Sequence, residues 1–342
     1  MVLTSNQFFS LLCVLIILVI FIAWNNSFKE AYGHGLSRDQ SLPFEVSGKQ
    51  IAIEGVMEPP FLNEDNKKPT LTVRTFDEKT NETIKDLNYR IIANFKNETI
   101  LDQQFHSLDG YIKADLIPSN SSIVHAIIYP NKEEQQQISK NDQVPVSANE
   151  PITLKSKLLT DGGLYDISVF LEKSSQGLKL DSDKKVDLFI SIGKTVPFVI
   201  KNFYNNESSI TNINNNDIGN LTLKVKTFYD DIVDFIYNQN THTMSFTMPF
   251  RWDMEYVNQI VNLHEEIVIP KSYTPLFTIS SFTGTLNDMA IPRNAIIIDD
   301  FSDPNNRIVH IVIANFKLKE FTSNIIKEGG NQYARFELVP VK

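Results

Sequence analysis

The strongest constraint on this chain is a period of two. From residue 48 onward, apolar and polar residues alternate in run after run. Leu71 and Val73 alternate with Thr70, Thr72 and Arg74, and Tyr89, Ile91, Ala93 and Phe95 with Arg90, Asn94 and Lys96. The pattern recurs over Tyr165–Leu171, Val186–Ile192, Leu221–Val225 and Met244–Met248. Successive strand residues point to opposite faces, so each run builds a sheet with one dry and one wet face. Turn signals separate the runs: Asp109-Gly110, Pro130-Asn131, Asp161-Gly162-Gly163 and Asp303-Pro304-Asn305. The pattern predicts an all-β protein of the sandwich class.

The 342 residues suffice for two such domains. The expected organisation is two tandem immunoglobulin-like β-sandwich domains, over 49–194 and 221–342. A linker or loop over 195–220 joins them, because Gly193 closes a strand pattern and residues 205–220 are rich in Asn. A polar insert over 131–150 projects from the first sandwich. One amphipathic helix is expected near 253–265. Asp253 caps it, and Tyr256, Val257, Ile260, Val261 and His264 share its broad apolar face. It is expected to cover an open end of the second sandwich. A second short helix is expected over Glu320–Lys327, stopped at Gly329-Gly330.

Residues 8–24 form an almost unbroken apolar run ending in Trp24. Seventeen residues lie at the short edge of what spans a bilayer and exceed an ordinary signal-peptide core. Residues 1–33 are therefore expected to be a signal peptide or a transmembrane anchor, with a linker over 34–48. Ala31-Tyr32-Gly33 fits cleavage before His34, whereas the gap after the apolar core fits retention. Either way the body is expected outside the cytoplasm, on the cell membrane or secreted. The one cysteine, Cys13, lies inside this run. A disulfide scaffold and a zinc or iron–sulfur centre held by several cysteines are excluded. Net charge is −9 and no long basic run occurs, so no nucleic-acid partner is expected.

The scan for chemistry returns weak signals. His264-Glu265-Glu266 lacks the second histidine of a zinc-protease helix, since position 268 is Val. No Gly-x-Ser-x-Gly elbow or phosphate loop is present. Asp299, Asp300 and Asp303 concentrate oxygen ligands between two strands, a candidate calcium loop that also reads as an ordinary hairpin turn. His106, His125, His242 and His310 sit on or near strands, where a histidine reads as a sheet residue. His34 would become the first residue after cleavage. Its α-amino nitrogen and imidazole could then chelate copper, with a strand histidine completing the site. Glycosylation acceptors stand at Asn81, Asn97, Asn120, Asn206 and Asn220. No other cofactor is expected.

Several stretches resemble a family of exported β-sandwich proteins from ammonia-oxidising archaea. They are Ala31-Tyr32-Gly33-His34-Gly35-Leu36, Asp161–Ile167, Val225–Asp230, Met248-Pro249-Phe250-Arg251-Trp252, His264–Ile267 and Ile269-Pro270-Lys271-Ser272. The resemblance implies an archaeal cell-surface setting and brings no catalytic residues. The expected protein is not an enzyme. It is an extracytoplasmic cell-envelope protein with a structural or partner-binding role, tethered through residues 8–24, with an envelope protein or a glycan as partner. The alternative is a copper-binding β-sandwich using His34.

Overall fold

The computed structural model describes residues 37–62, 68–118, 127–129, 142–156, 162–173, 175–204, 218–327 and 332–341. The apolar run at 8–24, His34, His125, Asn120 and Asn206 lie outside them. Among the described residues no helix is long and apolar enough to cross a membrane.

The protein is all-β, and its described strands form three sheets. The first sheet has seven strands: β1 (Arg38–Gln40), β2 (Phe44–Val46), β3 (Lys49–Glu58), β5 (Thr70–Asp77), β8 (Tyr111–Pro118), β9 (Ile127–Tyr129) and β11 (Ile152–Ser156). Their order is β1-β3-β5-β8-β11-β9, with β2 also against β3. The second has ten: β10 (Val144–Val146), β7 (Glu98–Ser107), β6 (Leu87–Phe95), β12 (Gly163–Leu171), β13 (Lys184–Tyr204), β14 (Ile218–Thr227), β17 (Asn262–Pro270), β21 (Asn306–Ala314) and β20 (Ile296–Asp299), in that order, with β4 (Phe61–Leu62) beside β13. The third has five: β15 (Asp234–Asn238), β16 (Thr243–Pro249), β22 (Tyr333–Pro340), β18 (Phe282–Leu286) and β19 (Met289–Ala290). Among the described residues, the α-helices α1 (Met254–Gln259), α2 (Thr274–Phe277) and α3 (Asn315–Lys327) accompany the second half.

Two buried apolar clusters follow from the alternation. One gathers Val46–Ile192 residues from the first sheet and from β6, β7, β12 and the start of β13. The other gathers Leu221–Leu338 residues from β14, β17, β21, the third sheet and α3. The expected break near 194 is corrected by the structure. Strand β13 runs unbroken through residues 184–204, pairing with β12 over its first half and with β14 over its second. The reason is the unbroken alternation: Leu188, Ile190 and Ile192 enter the first cluster, while Val196, Phe198 and Ile200 pack on the second. Residues 195–204 are therefore strand, not linker. Likewise the expected linker at 34–48 contributes β1 and β2, both paired with β3.

Gly193 sits at the crossing between the two clusters. A Cβ there would lie 2.5 Å from the Phe61 ring and 2.9 Å from Phe228. Those rings form a tilted pair at 5.1 Å. Gly193→Ala is expected to cost about 1–3 kcal/mol through overpacking. The measurement is a urea midpoint lowered without change of slope; an unchanged midpoint would refute this role.

The helix near 253–265 is shorter than expected. Asp253 does cap it, accepting the Tyr256 N–H at 2.8 Å. It ends at Gln259, where Asn315 Nδ2 donates to the carbonyls of Val257 and Ile260. Beyond it, Leu263, Ile267 and Ile269 alternate into the core as part of β17. Strand alternation with a paired partner on each side outcompetes the three-four spacing. His264 therefore lies on a strand. The later helix appears as α3, starting earlier than expected and burying Leu318, Phe321, Thr322 and Ile325.

Candidate metal centre

Strand β17 carries two faces. Leu263, Glu265, Ile267 and Ile269 point into the second core, and His264, Glu266 and Val268 point outward. Its neighbours are β14 on one side and β21 on the other. Register sets Lys226 of β14, Glu266 of β17 and His310 of β21 in one row. His264 stands two residues along the same face. Sequence spacing thus supplies a period-two pair, and pairing across the sheet supplies the third group.

The three side chains converge. His264 Nε2 lies 3.2 Å from His310 Nδ1. Glu266 Oε1 lies 3.4 Å from His264 Nε2 and 3.2 Å from His310 Nδ1. Among the described residues, this is the group of histidine and carboxylate side chains that could hold a metal ion. Donor atoms bound at about 2.1 Å to one ion stand about 3.0 Å apart at octahedral angles and about 3.4 Å apart at tetrahedral ones. The observed triangle has those edges. No side chain has to move far for the three atoms to face one ion.

The protonation states fit as well. Burial pulls the His264 imidazole down to about 4, against the pull of Glu266. It is therefore neutral, with a lone pair available, across the physiological range. Burial opposes ionisation of Glu266, but His310, His264 and Lys226 outweigh it and hold the carboxyl below its ordinary range. Lys226 Nζ stands 3.9 Å from Glu266 Oε2. Behind His310, Nε2 faces Asp299 Oδ2 at 3.8 Å. At that distance the contact is an ion-pair approach rather than a hydrogen bond. Phe228 stacks on the His264 ring at 5.1 Å, and Lys226 Nζ lies 4.5 Å above Phe61. One side of the cluster is thus closed by apolar surface, and His310 is its most exposed member, at 21% of its side chain.

The three aspartates expected to bind calcium do not converge. The Ser302 side chain, with the N–H groups of Phe301 and Ser302 that Asp299 accepts, holds its carboxyl down at about 2. Asp300 is bidentate to Arg307. Asp303 accepts from Asn305 and Asn306. The loop carbonyls of Asp300 and Asp303 instead receive the Lys271 ammonium, at 2.8 and 2.7 Å. The three carboxylates and these two carbonyls are thus engaged within the chain. Asp299 joins the histidine cluster instead.

The remaining candidates are placed separately. His106 Nδ1 pairs with Asn88 Oδ1 at 2.7 Å, and His242 Nδ1 with the Tyr237 hydroxyl at 2.7 Å. His106 is a satisfied residue of β7, and His242 a satisfied residue of the turn before β16. Asn81 and Asn97 are exposed at turns, and each accepts a guanidinium hydrogen bond, from Arg74 and Arg251. Asn220 lies in β14. Comparison with protein families, with curated proteins and with solved structures finds no match.

Proposed function

We propose that this is a transition-metal-binding β-sandwich protein. His264, Glu266 and His310 hold one divalent ion such as zinc(II) or copper(II). The observation that carries the reading is the triangle of two imidazole nitrogens and one carboxylate oxygen, with edges of 3.2, 3.2 and 3.4 Å. Two imidazoles and a carboxylate suit zinc and copper rather than calcium or magnesium. Three protein ligands leave coordination positions for water or for a transfer partner, on the more exposed His310 side. The two buried clusters support a pair of immunoglobulin-like sandwiches as the scaffold. The apolar run at 8–24 and the archaeal resemblance support an envelope setting, in which the role is to bind or carry the metal rather than to catalyse a reaction.

The test is calorimetric titration of the full chain with zinc(II) and with copper(II). One ion per chain is expected, bound through residues 264, 266 and 310. His310→Ala should weaken it by at least about 100-fold, as loss of a direct ligand exceeds the 10–100-fold cost of losing an outer partner. His34→Ala should leave it unchanged. Binding that survives a His264→Ala/His310→Ala double variant would refute the site. Binding that disappears in His34→Ala alone would transfer the metal to the N-terminal histidine.

A further inference from the structure

A second feature lies away from the metal cluster. A cavity of about 620 Å³ opens between the β6–β7 hairpin, the start of β12, and the segment leading from β16 into α1. It stands at the seam between the two buried clusters. Its volume falls within the range of small-molecule pockets, roughly 300–1,000 Å³, and such pockets favour seams of this kind.

The walls combine two kinds of surface. Phe250 packs on Trp252 at 4.5 Å and edge-on to Tyr256 at 5.5 Å. Trp252 is fixed by its indole N–H, which donates to the Tyr333 carbonyl at 3.0 Å. The Arg251 guanidinium lies 5.0 Å above the Tyr256 ring. These aromatic groups form a rigid apolar wall. The other groups are planar and polar. Asp166, half-buried, lines the cavity, and its buried Oδ1 has no hydrogen-bond partner among the described residues. The side-chain amide of Gln259 and the half-buried Tyr256 also line the cavity. A buried polar group without a partner is costly, so a ligand that supplies the partner is favoured.

Charge narrows the ligand class. The two cations of the wall are already engaged: Lys96 with Asp230 at 3.0 Å, and Arg251 with Asp253 at 3.0 Å. Asp166 and Glu255 remain without ion pairs, which disfavours an anionic ligand. A purely apolar ligand would leave Asp166 unsatisfied. The fit is a neutral molecule carrying many hydroxyl groups on an apolar ring face. Hydroxyls donate to Asp166 and both donate to and accept from the amides, while the C–H face of the ring packs on the aromatic wall.

We infer that this cavity is a carbohydrate-binding site for a neutral mono- or disaccharide unit. The site is independent of the metal cluster. The test is calorimetric titration of the full chain with glucose, galactose, mannose, N-acetylglucosamine and cellobiose, with tetramethylammonium as a cationic control. At least one sugar should bind, and Asp166→Asn and Gln259→Ala should each weaken that sugar at least 10-fold. His310→Ala should leave sugar binding intact, which separates this result from the fate of the metal reading. Gln259 lies at the end of a short helix, so its variant tests the site even where Asp166→Asn perturbs folding. Absence of binding by every sugar, or sugar binding unaltered in Gln259→Ala with a native melting temperature, would overturn the inference. So would tetramethylammonium binding in preference to all five sugars.

Discussion

Replacement of Arg307 by Met is expected to destabilise the fold by about 3 kcal/mol, the cost typical of leaving one partner of a buried ion pair alone. Arg307 is almost wholly buried on β21, and its guanidinium has four partners. Nε and Nη2 grip the two oxygens of Asp300 at 2.7 and 2.8 Å. Nη1 donates to the carbonyls of Leu276 and Ile279, at 3.0 and 2.6 Å. The same group lies 4.9 Å over the Phe277 ring. One side chain therefore ties the loop after β20 to the end of α2. Methionine fills similar volume but leaves a carboxylate and two carbonyls without their donor. Arg307→Lys should recover only part of the loss, because a single ammonium cannot fork to the carboxylate and reach both carbonyls. The measurement is the urea midpoint of each variant. Equal midpoints for wild type and Arg307→Met would show that water replaces the guanidinium at no cost.

This loop also shows where sequence reasoning succeeds and where it stops. The strands were legible because one-sided burial imposes a period of two that no helix can share; Thr70–Arg74, Tyr89–Phe95 and Met244–Met248 all lie in strands. The turn at Asp303-Pro304-Asn305 was legible as well, since Asp303 side-chain capping is local. The loop's cation was not. Lys271 reaches it from the end of β17, 29 residues away in the chain from Asp300. The metal cluster was missed for the same kind of reason. His264 and Glu266 were visible as neighbours, but the helix expected near 253–265 claimed His264, and on a helix positions two apart do not face each other. On a strand they do, and His310 joins them only through the β17–β21 register. The available signal was the period itself: His264 and Glu266 alternate with Leu263, Glu265 and Ile267, and His310 alternates with Val309 and Ile311. The continuity of β13 was hidden by Gly193, which reads as a strand end and instead serves the close approach of Phe61.

Glu265 sits between two of the metal-facing side chains, yet it points the other way, and Glu265→Met is expected to stabilise the protein. The residue is fully buried in the second core, and neither carboxylate oxygen has a hydrogen-bond partner. Its neighbour Thr227 donates its hydroxyl to the Asp230 carbonyl at 2.7 Å instead. Burial accordingly pushes the carboxyl well above the ordinary range, the neighbouring Glu266 carboxylate adds to this, and the nearby Thr227 hydroxyl and Phe228 N–H, neither in good hydrogen-bond geometry to it, oppose only in part. The unfolded chain ionises this group near 4.5, and the folded chain holds its proton to higher pH. The folded state is thus favoured by this group below about 4.5 and loses that advantage as pH rises toward the folded value. Methionine is close in volume, titrates nowhere and leaves no unsatisfied oxygen. The gain at pH 8 should be about 2 kcal/mol, the scale of one buried unpaired polar group, and it should shrink as pH falls toward 4.5. Stability of both proteins measured by urea unfolding at pH 5 and pH 8 reads both parts. A variant less stable than wild type at pH 8 would show that the carboxylate is held by a partner it gains in solution. Because Glu265 faces away from His264 and Glu266, the same variant should bind the metal with unchanged stoichiometry. The two faces of one strand would then be separated by experiment, with the apolar face governing stability and the outward face governing the metal.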